Sequence, residues 1–208
     1  MKQVLQLLLV LAILEGIARG ENAETVIGNQ YLELRFQKTG DRIAATTLHQ
    51  RVSNRIITLS ADDFSLSREG QAPLQSKDFK VHQVQRTGIP GGQRLSLILR
   101  GGAGDVAVVY ELLDDDFFLR RHLEFSPTAP MLLRQVEVWK IGLEGQCLDQ
   151  ETGPPEELLN NVWGVDRKTG FGKPVFLEDT FWGLEFPAGY NHYASGFLTL
   201  SHLPGRTI

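Results

Sequence analysis

The sequence predicts an all-β chain built as a large antiparallel sandwich or barrel. Three observations carry this. Apolar and polar residues alternate in short runs along most of the chain, the period of a half-buried strand. Turn signals rich in Gly, Pro and Asp separate those runs at regular spacing. Helical periodicity is almost wholly missing, so the runs read as hairpins and not as βαβ units. The 208 residues, 42% hydrophobic and 22% charged, have the composition of one or two globular domains. A net charge of −4 without any basic cluster gives no footprint for nucleic acid.

Residues 1–20 stand apart from the fold. Lys2 gives a positive start, residues 4–14 are apolar except for Gln6, and Ala18-Arg19-Gly20 has the small-x-small form of a signal-peptidase site. The apolar run is short for a membrane span and ends in Glu15. A signal peptide is therefore expected, with an uncleaved amphipathic anchor as the alternative. The mature domain, 21–208, is expected to be exported, periplasmic or extracellular, with no stable membrane span. Cys147 is the single cysteine, so no intrachain disulfide forms. A chain of this size can bury enough core without one.

Within 25–36, Leu32, Leu34 and Phe36 alternate with Glu33 and Arg35, which predicts a half-buried strand over that range. Gly40-Asp41 is a turn, and strands are expected at 42–48, 55–59 and 63–67. Glu69-Gly70 and Ala72-Pro73 mark a loop before a strand at 78–86. Leu95, Leu97 and Leu99 form the next inward set, and Val106, Val108, Tyr110 and Leu112 the one after. Asp114-Asp115-Asp116 closes that hairpin. A strand is expected at 117–125, with Phe117, Leu119, Leu123 and Phe125 on one face and Arg121 among them. An arginine in that position needs a carboxylate partner or an exposed edge. Residues 132–143 and 196–203 read as further strands.

Residues 145–172 differ. They are polar and rich in Gly and Pro, and their one helical signal is Pro155-Glu156-Glu157-Leu158-Leu159. A loop of this length in a β-protein is functional or disordered. Trp163 favours an ordered, functional loop, because an indole needs something to pack on. The chain stops at Arg206-Thr207-Ile208, just past a Pro-Gly turn, which suggests that a new element begins there.

Residues 173–191 are the densest in groups that can grip a polar ring: five aromatics, three carboxylates and two glycines. They read as two short strands joined by an acidic turn, then a loop. Alternation puts Trp182, Leu184 and Phe186 on a core face, and Phe181, Gly183 and Glu185 on the other. Glycosidic chemistry needs two carboxylates at a set separation. Glu178 and Asp179 are adjacent and point apart, while Asp179 and Glu185 could meet across the hairpin. Mutarotation needs an acid and a base flanking an anomeric oxygen, and His122 with Glu185 are the candidates. Binding alone asks for aromatic platforms and a few hydrogen-bonding groups. Trp163, Asp179, Trp182, Glu185, Tyr190 and Asn191 supply these, with Tyr190 to Tyr193 expected in an exposed loop. Trp182 is equally a core residue by its neighbours. The five histidines show no close ligand spacing, and no metal or cofactor is expected. An oxygen-ligand Ca²⁺ site at Asp114-Asp115-Asp116 is weaker than a plain solvated turn.

Two stretches carry a resemblance. The first is 104–112, Gly-Asp-Val-Ala-Val-Val-Tyr-Glu-Leu, with 117–124, Phe-Phe-Leu-Arg-Arg-His-Leu-Glu. It resembles the N-terminal β-supersandwich, of galactose-mutarotase-like fold, found in several glycoside hydrolases. The second is 174–179 and 181–191 with His202-Leu203-Pro204-Gly205-Arg206. It is similar to secreted α-galactosidase-like proteins, where it precedes a catalytic (β/α)8 barrel. The resemblance covers most of 24–208. It implies an antiparallel β-supersandwich that binds or frames carbohydrate and packs on a C-terminal catalytic barrel of the same chain. No barrel is present in these 208 residues, so no catalytic carboxylate of that class carries over. The expected function is therefore non-catalytic. The alternatives are a mutarotase or epimerase, and a structural exported sandwich without a sugar site.

Overall fold

A computed structural model of the chain describes residues 24–145, 147–149, 174–185, 189–204 and 206–207, with 147–149 and 206–207 as backbone only. The predicted signal peptide, Trp163, the helical signal at 155–159 and Phe186 lie outside the described residues. The described residues contain strands and a single 3-10 turn at Ser76–Asp78. No helix among them is long and apolar enough to cross a membrane.

The strands pair antiparallel throughout, as hairpin-rich sequence requires. β1 (Thr25–Gly28), β2 (Leu32–Thr39), β3 (Arg42–Gln50) and β4 (Arg55–Thr58) make the first sheet in chain order. β5 (Ala61–Arg68) and β6 (Leu74–Gln75) lead into a four-stranded meander. Its strands are β7 (Phe79–Ile89), β8 (Gly92–Gly101), β9 (Gly104–Leu113) and β10 (Arg120–Pro127). β11 (Leu132–Gly142) is followed by the small sheet of β12 (Cys147–Asp149), β13 (Val175–Leu177) and β14 (Thr180–Trp182). β15 (Gly189–Ala194), β16 (Phe197–His202) and β17 (Arg206–Thr207) complete the described chain. β11 sits in the middle of the largest sheet, ordered β15-β16-β11-β5-β6, and β17 also pairs with it.

The predicted alternation is met where it was cleanest. Leu95, Leu97 and Leu99 on β8, and Val106, Val108, Tyr110 and Leu112 on β9, are all buried. Gly104 opens β9 at φ 144, opposite Pro127, and a Cβ there would lie 2.3 Å from the Ser126 carbonyl oxygen. Only glycine fits so close a crossing.

Three expectations need correction. The strand expected at 25–36 is two strands, broken at 29–31. The Asn29 side chain accepts from the backbone N–H groups of Tyr31 and Leu32, both at 2.8 Å, and closes a turn. Its Nδ2 donates to the carbonyls of Leu113 and Asp116, which ties the first sheet to the meander. The strand expected from residue 117 starts at Arg120, so Phe117 is in the connection, exposed, with its ring 4.1 Å from that of Tyr31. Tyr190 to Tyr193 are not in an exposed loop. They belong to β15, where Tyr190 and Asn191 are buried.

One apolar core joins the four sheets. Four aromatic rings thread it edge to face. Phe36 of the first sheet meets Tyr110 of the meander at 5.0 Å, Tyr110 meets Trp139 of β11 at 6.1 Å, and Trp139 meets Trp182 of the small sheet at 5.8 Å. Such tilted pairs set each ring's positive edge against the next ring's negative face.

Candidate functional site

The site is built on β10 and the β13–β14 hairpin. On β10, successive side chains alternate, so Arg121 points inward while Arg120 and His122 point the other way. Arg121 is 3% exposed and meets the expected carboxylate: its Nη2 lies 3.8 Å from Oδ1 of Asp62, itself 4% exposed, on β5. Asp62 is held by neutral donors too. Trp139 Nε1 donates to it at 2.7 Å, the Ala45 backbone N–H at 2.7 Å and the Tyr110 hydroxyl at 3.4 Å. Arg121 Nε donates to the Tyr110 oxygen at 3.1 Å, so the phenol relays between guanidinium and carboxylate. The guanidinium also lies over the rings of Trp139 and Tyr110, at 5.0 and 5.6 Å. Burial pushes the Tyr110 hydroxyl far above the ordinary phenol range, against the opposing pull of Arg121, so it stays protonated. Arg121 Nη1 is buried and has no hydrogen-bond partner among the described residues.

The hairpin turns at Glu178-Asp179, with Glu178 at φ 51, the first turn position where a left-handed residue suits a two-residue loop. Its inner face buries Val175, Leu177 and Trp182 in the core. Its outer face carries Phe176 and Phe181, which are cross-strand partners. Arg55 of β4 donates to both Glu178 and Asp179 and clasps the turn. Beyond β14, Asn191 Oδ1 accepts from the Leu184 backbone N–H at 3.1 Å, which positions the segment bearing Glu185. Glu185 then lies 3.5 Å from Arg120 Nε, and Arg120 Nη1 donates to Asp116 at 2.8 Å.

These elements border a cavity of about 880 Å³, lined from β2, β3, β5, β9, β10, β11, β14, β16 and the connection at 117–119. A volume of this order is that of a ligand site. The lining brings together four groups singled out by sequence: His122, Asp179, Trp182 and Glu185. Trp182 is both core and cavity wall. Tyr190 and Asn191 are buried in β15 and do not line it; Asn191 acts through Leu184 instead. Trp163 lies outside the described residues.

Sequence reasoning missed Phe117 and Phe118, which line the cavity; Arg120, on the polar face that the sequence shares between Arg120, His122 and Glu124, lines it too. Arg120 lies over the Phe118 ring at 4.3 Å. No periodic signal marks Phe117, because it follows the strand pattern and yet falls in a connection. Each lining carboxylate has an arginine partner: Asp179 has Arg55, Glu185 has Arg120, and Glu111 has Arg94. His122 Nε2 lies 3.2 Å from Glu124 Oε1. Among the described residues no group of three His, Cys, Asp or Glu is placed to hold a metal ion. The aspartates of the 114–116 turn are engaged with Gln30 at Asp115 and Arg120 at Asp116. The lining is thus mainly apolar, with leucines, valines and aromatic rings, and carries a few ion-paired carboxylates and guanidinium groups.

No family model, no curated protein and no solved structure matches this chain.

Proposed function

We propose that this chain binds carbohydrate in the cavity between β10 and the β13–β14 hairpin. It acts as the non-catalytic, framing N-terminal region of an exported α-galactosidase-like glycoside hydrolase, with the catalytic barrel beyond residue 208. One observation carries the binding half of this: exposed phenyl rings of Phe117 and Phe181 stand on the same cavity as the arginine-anchored carboxylates of Asp179 and Glu185. C–H faces of a sugar stack on such rings, and its hydroxyls bridge acceptor and donor. The α-galactoside half rests on the sequence resemblance. A glycan-binding screen of the purified chain, followed by calorimetry on the hits, tests it. Saturable binding weakened by Phe181→Ala supports it. A screen without hits removes it and leaves a structural sandwich.

A second reading is favoured by His122 and Glu185 lining one cavity. An acid and a base flanking one anomeric oxygen are what the exchange of a sugar's anomers requires. Both are engaged with other partners, Glu124 and Arg120, which favours binding over chemistry. Polarimetry of freshly dissolved α-D-galactose separates the two. Acceleration that His122→Gln abolishes would establish the enzyme, and an unchanged rate leaves the binder.

A further inference from the structure

The cavity beside β10 has an aliphatic floor. Leu34 of β2, Leu66 of β5, Leu133 of β11 and Leu200 of β16 line it, and each is buried. Neither this floor nor Arg121 takes part in the carbohydrate contacts proposed above, which fall on Phe117, Phe181, Asp179 and Glu185. Arg121 shares the inward face of β10 with Leu123 and Phe125, and all three line the cavity. Its side chain is 3% exposed, yet its hydrogen bonding is only partly used. Nε donates to the Tyr110 oxygen at 3.1 Å. Nη2 stands 3.8 Å from Asp62 Oδ1, near enough for charge attraction but beyond hydrogen-bond length. Nη1 is buried and has no partner among the described residues. A buried donor left unpaired is costly and rare in native proteins, so a further acceptor is called for. Asp62 does not fill that place, because Trp139, Ala45 and Tyr110 donate to its oxygens. An incoming anion would meet no unpaired carboxylate on the described wall. Asp179, Glu185 and Glu111 are each paired with an arginine other than Arg121, namely Arg55, Arg120 and Arg94.

We infer that the cavity takes an apolar monocarboxylate of the fatty-acid class, with its carboxylate on the Arg121 guanidinium and its hydrocarbon body among the leucines. Hydrogen bonds from a guanidinium to a carboxylate are charge-assisted, and a surrounding of low polarity strengthens them. Each methylene that leaves water for the aliphatic floor adds about fourfold in affinity. The floor and Arg121 carry this inference, so it and the carbohydrate proposal can fail separately.

The test is calorimetric titration of the full chain with octanoate, decanoate and dodecanoate below their micellar concentrations, and with decanol as the neutral counterpart. Saturable binding at a single site is expected, rising about tenfold from each acid to the next. Decanol should bind about tenfold more weakly than decanoate, or worse. Arg121→Met should bring decanoate down to the level of decanol, with a thermal melt showing that the variant is folded. Arg120 is the other arginine among the described lining residues, and it is half-exposed, so Arg120→Gln locates the carboxylate even where Arg121→Met fails to fold. A preference for the acid that survives Arg120→Gln supports the inference, and one that this variant abolishes overturns it. A preference that survives in folded Arg121→Met overturns it as well. Binding that does not saturate, or decanol binding as tightly as decanoate, overturns it on the parent chain alone.

Discussion

Arg121 and Asp62 show how a single residue's placement can be read from sequence, and where that stops. An arginine between Leu119 and Leu123 on an apolar face demands a counter-charge. The demand was legible, but its answer on β5 was not, because no local pattern links positions 62 and 121. The pair is unequally supported, and this gives a prediction. Asp62 keeps three neutral donors if Arg121 is removed, whereas among the described residues Arg121 keeps one hydrogen-bond acceptor, the Tyr110 oxygen, besides the ring faces of Trp139 and Tyr110 if Asp62 is neutralised. Asp62→Asn should therefore cost about 3–5 kcal/mol and Arg121→Met distinctly less, measured by urea denaturation. Equal losses would show that the neutral donors contribute nothing. Glu33 gives a second prediction. Burial raises its carboxyl, but hydrogen bonds and charge from Arg51 and Arg35 outweigh that and hold it below the usual carboxylate range. A depressed carboxyl stabilises the fold above its unfolded pKa of about 4.3, and that contribution is lost as pH falls through the lower folded value. Glu33→Gln should lower stability at pH 7 and flatten its decline below about pH 4.5. A variant that falls as steeply with acid as the parent would place the acid sensitivity elsewhere.

At the scale of elements, the β13–β14 hairpin was read correctly as two short strands about an acidic turn, with Trp182 inward and Phe181 outward, but β14 ends at Trp182, so the alternation expected beyond it does not continue through residues 183–185. β15 was misread because Pro187-Ala188-Gly189 suggested a loop, while pairing with β16 decided the outcome. Tertiary pairing overrides turn signals wherever a neighbouring strand offers a full ladder. The break at Asn29 was hidden for a related reason, since its side chain imitates backbone hydrogen bonds that periodicity cannot register. The hairpin's hold on the first sheet is the Arg55 clasp, a set of half-exposed ion pairs. Exposed pairs contribute about 0–1 kcal/mol to global stability. Arg55→Ala should then leave the melting temperature almost unchanged and yet loosen the hairpin locally. Hydrogen exchange at residues 175–182 is the measurement, with faster exchange there and not in β8 or β9 as the expected outcome. Unchanged exchange would mean that Trp182 and its buried neighbours hold the hairpin unaided.

At the scale of the whole molecule, four sheets could in principle melt in pieces. The small sheet, with strands of three residues each, is too short to be stable alone. What ties it in is the aromatic chain from Phe36 through Tyr110 and Trp139 to Trp182, with the Arg121–Asp62 pair lying against its middle members. Trp139 is thus joined to three sheets at once: it belongs to β11, abuts Tyr110 and Trp182, and donates to Asp62. A core shared in this way couples the loss of any one sheet to the loss of the others. The described fold should therefore unfold in one transition, with far-UV circular dichroism and tryptophan fluorescence superimposing and calorimetric and van't Hoff enthalpies equal. Trp182→Ala should lower that single transition by about 3–5 kcal/mol and keep the two probes coincident. If fluorescence instead separated from circular dichroism in the variant, the hairpin would be an independently melting flap, and the cavity wall it forms would open without unfolding the sandwich.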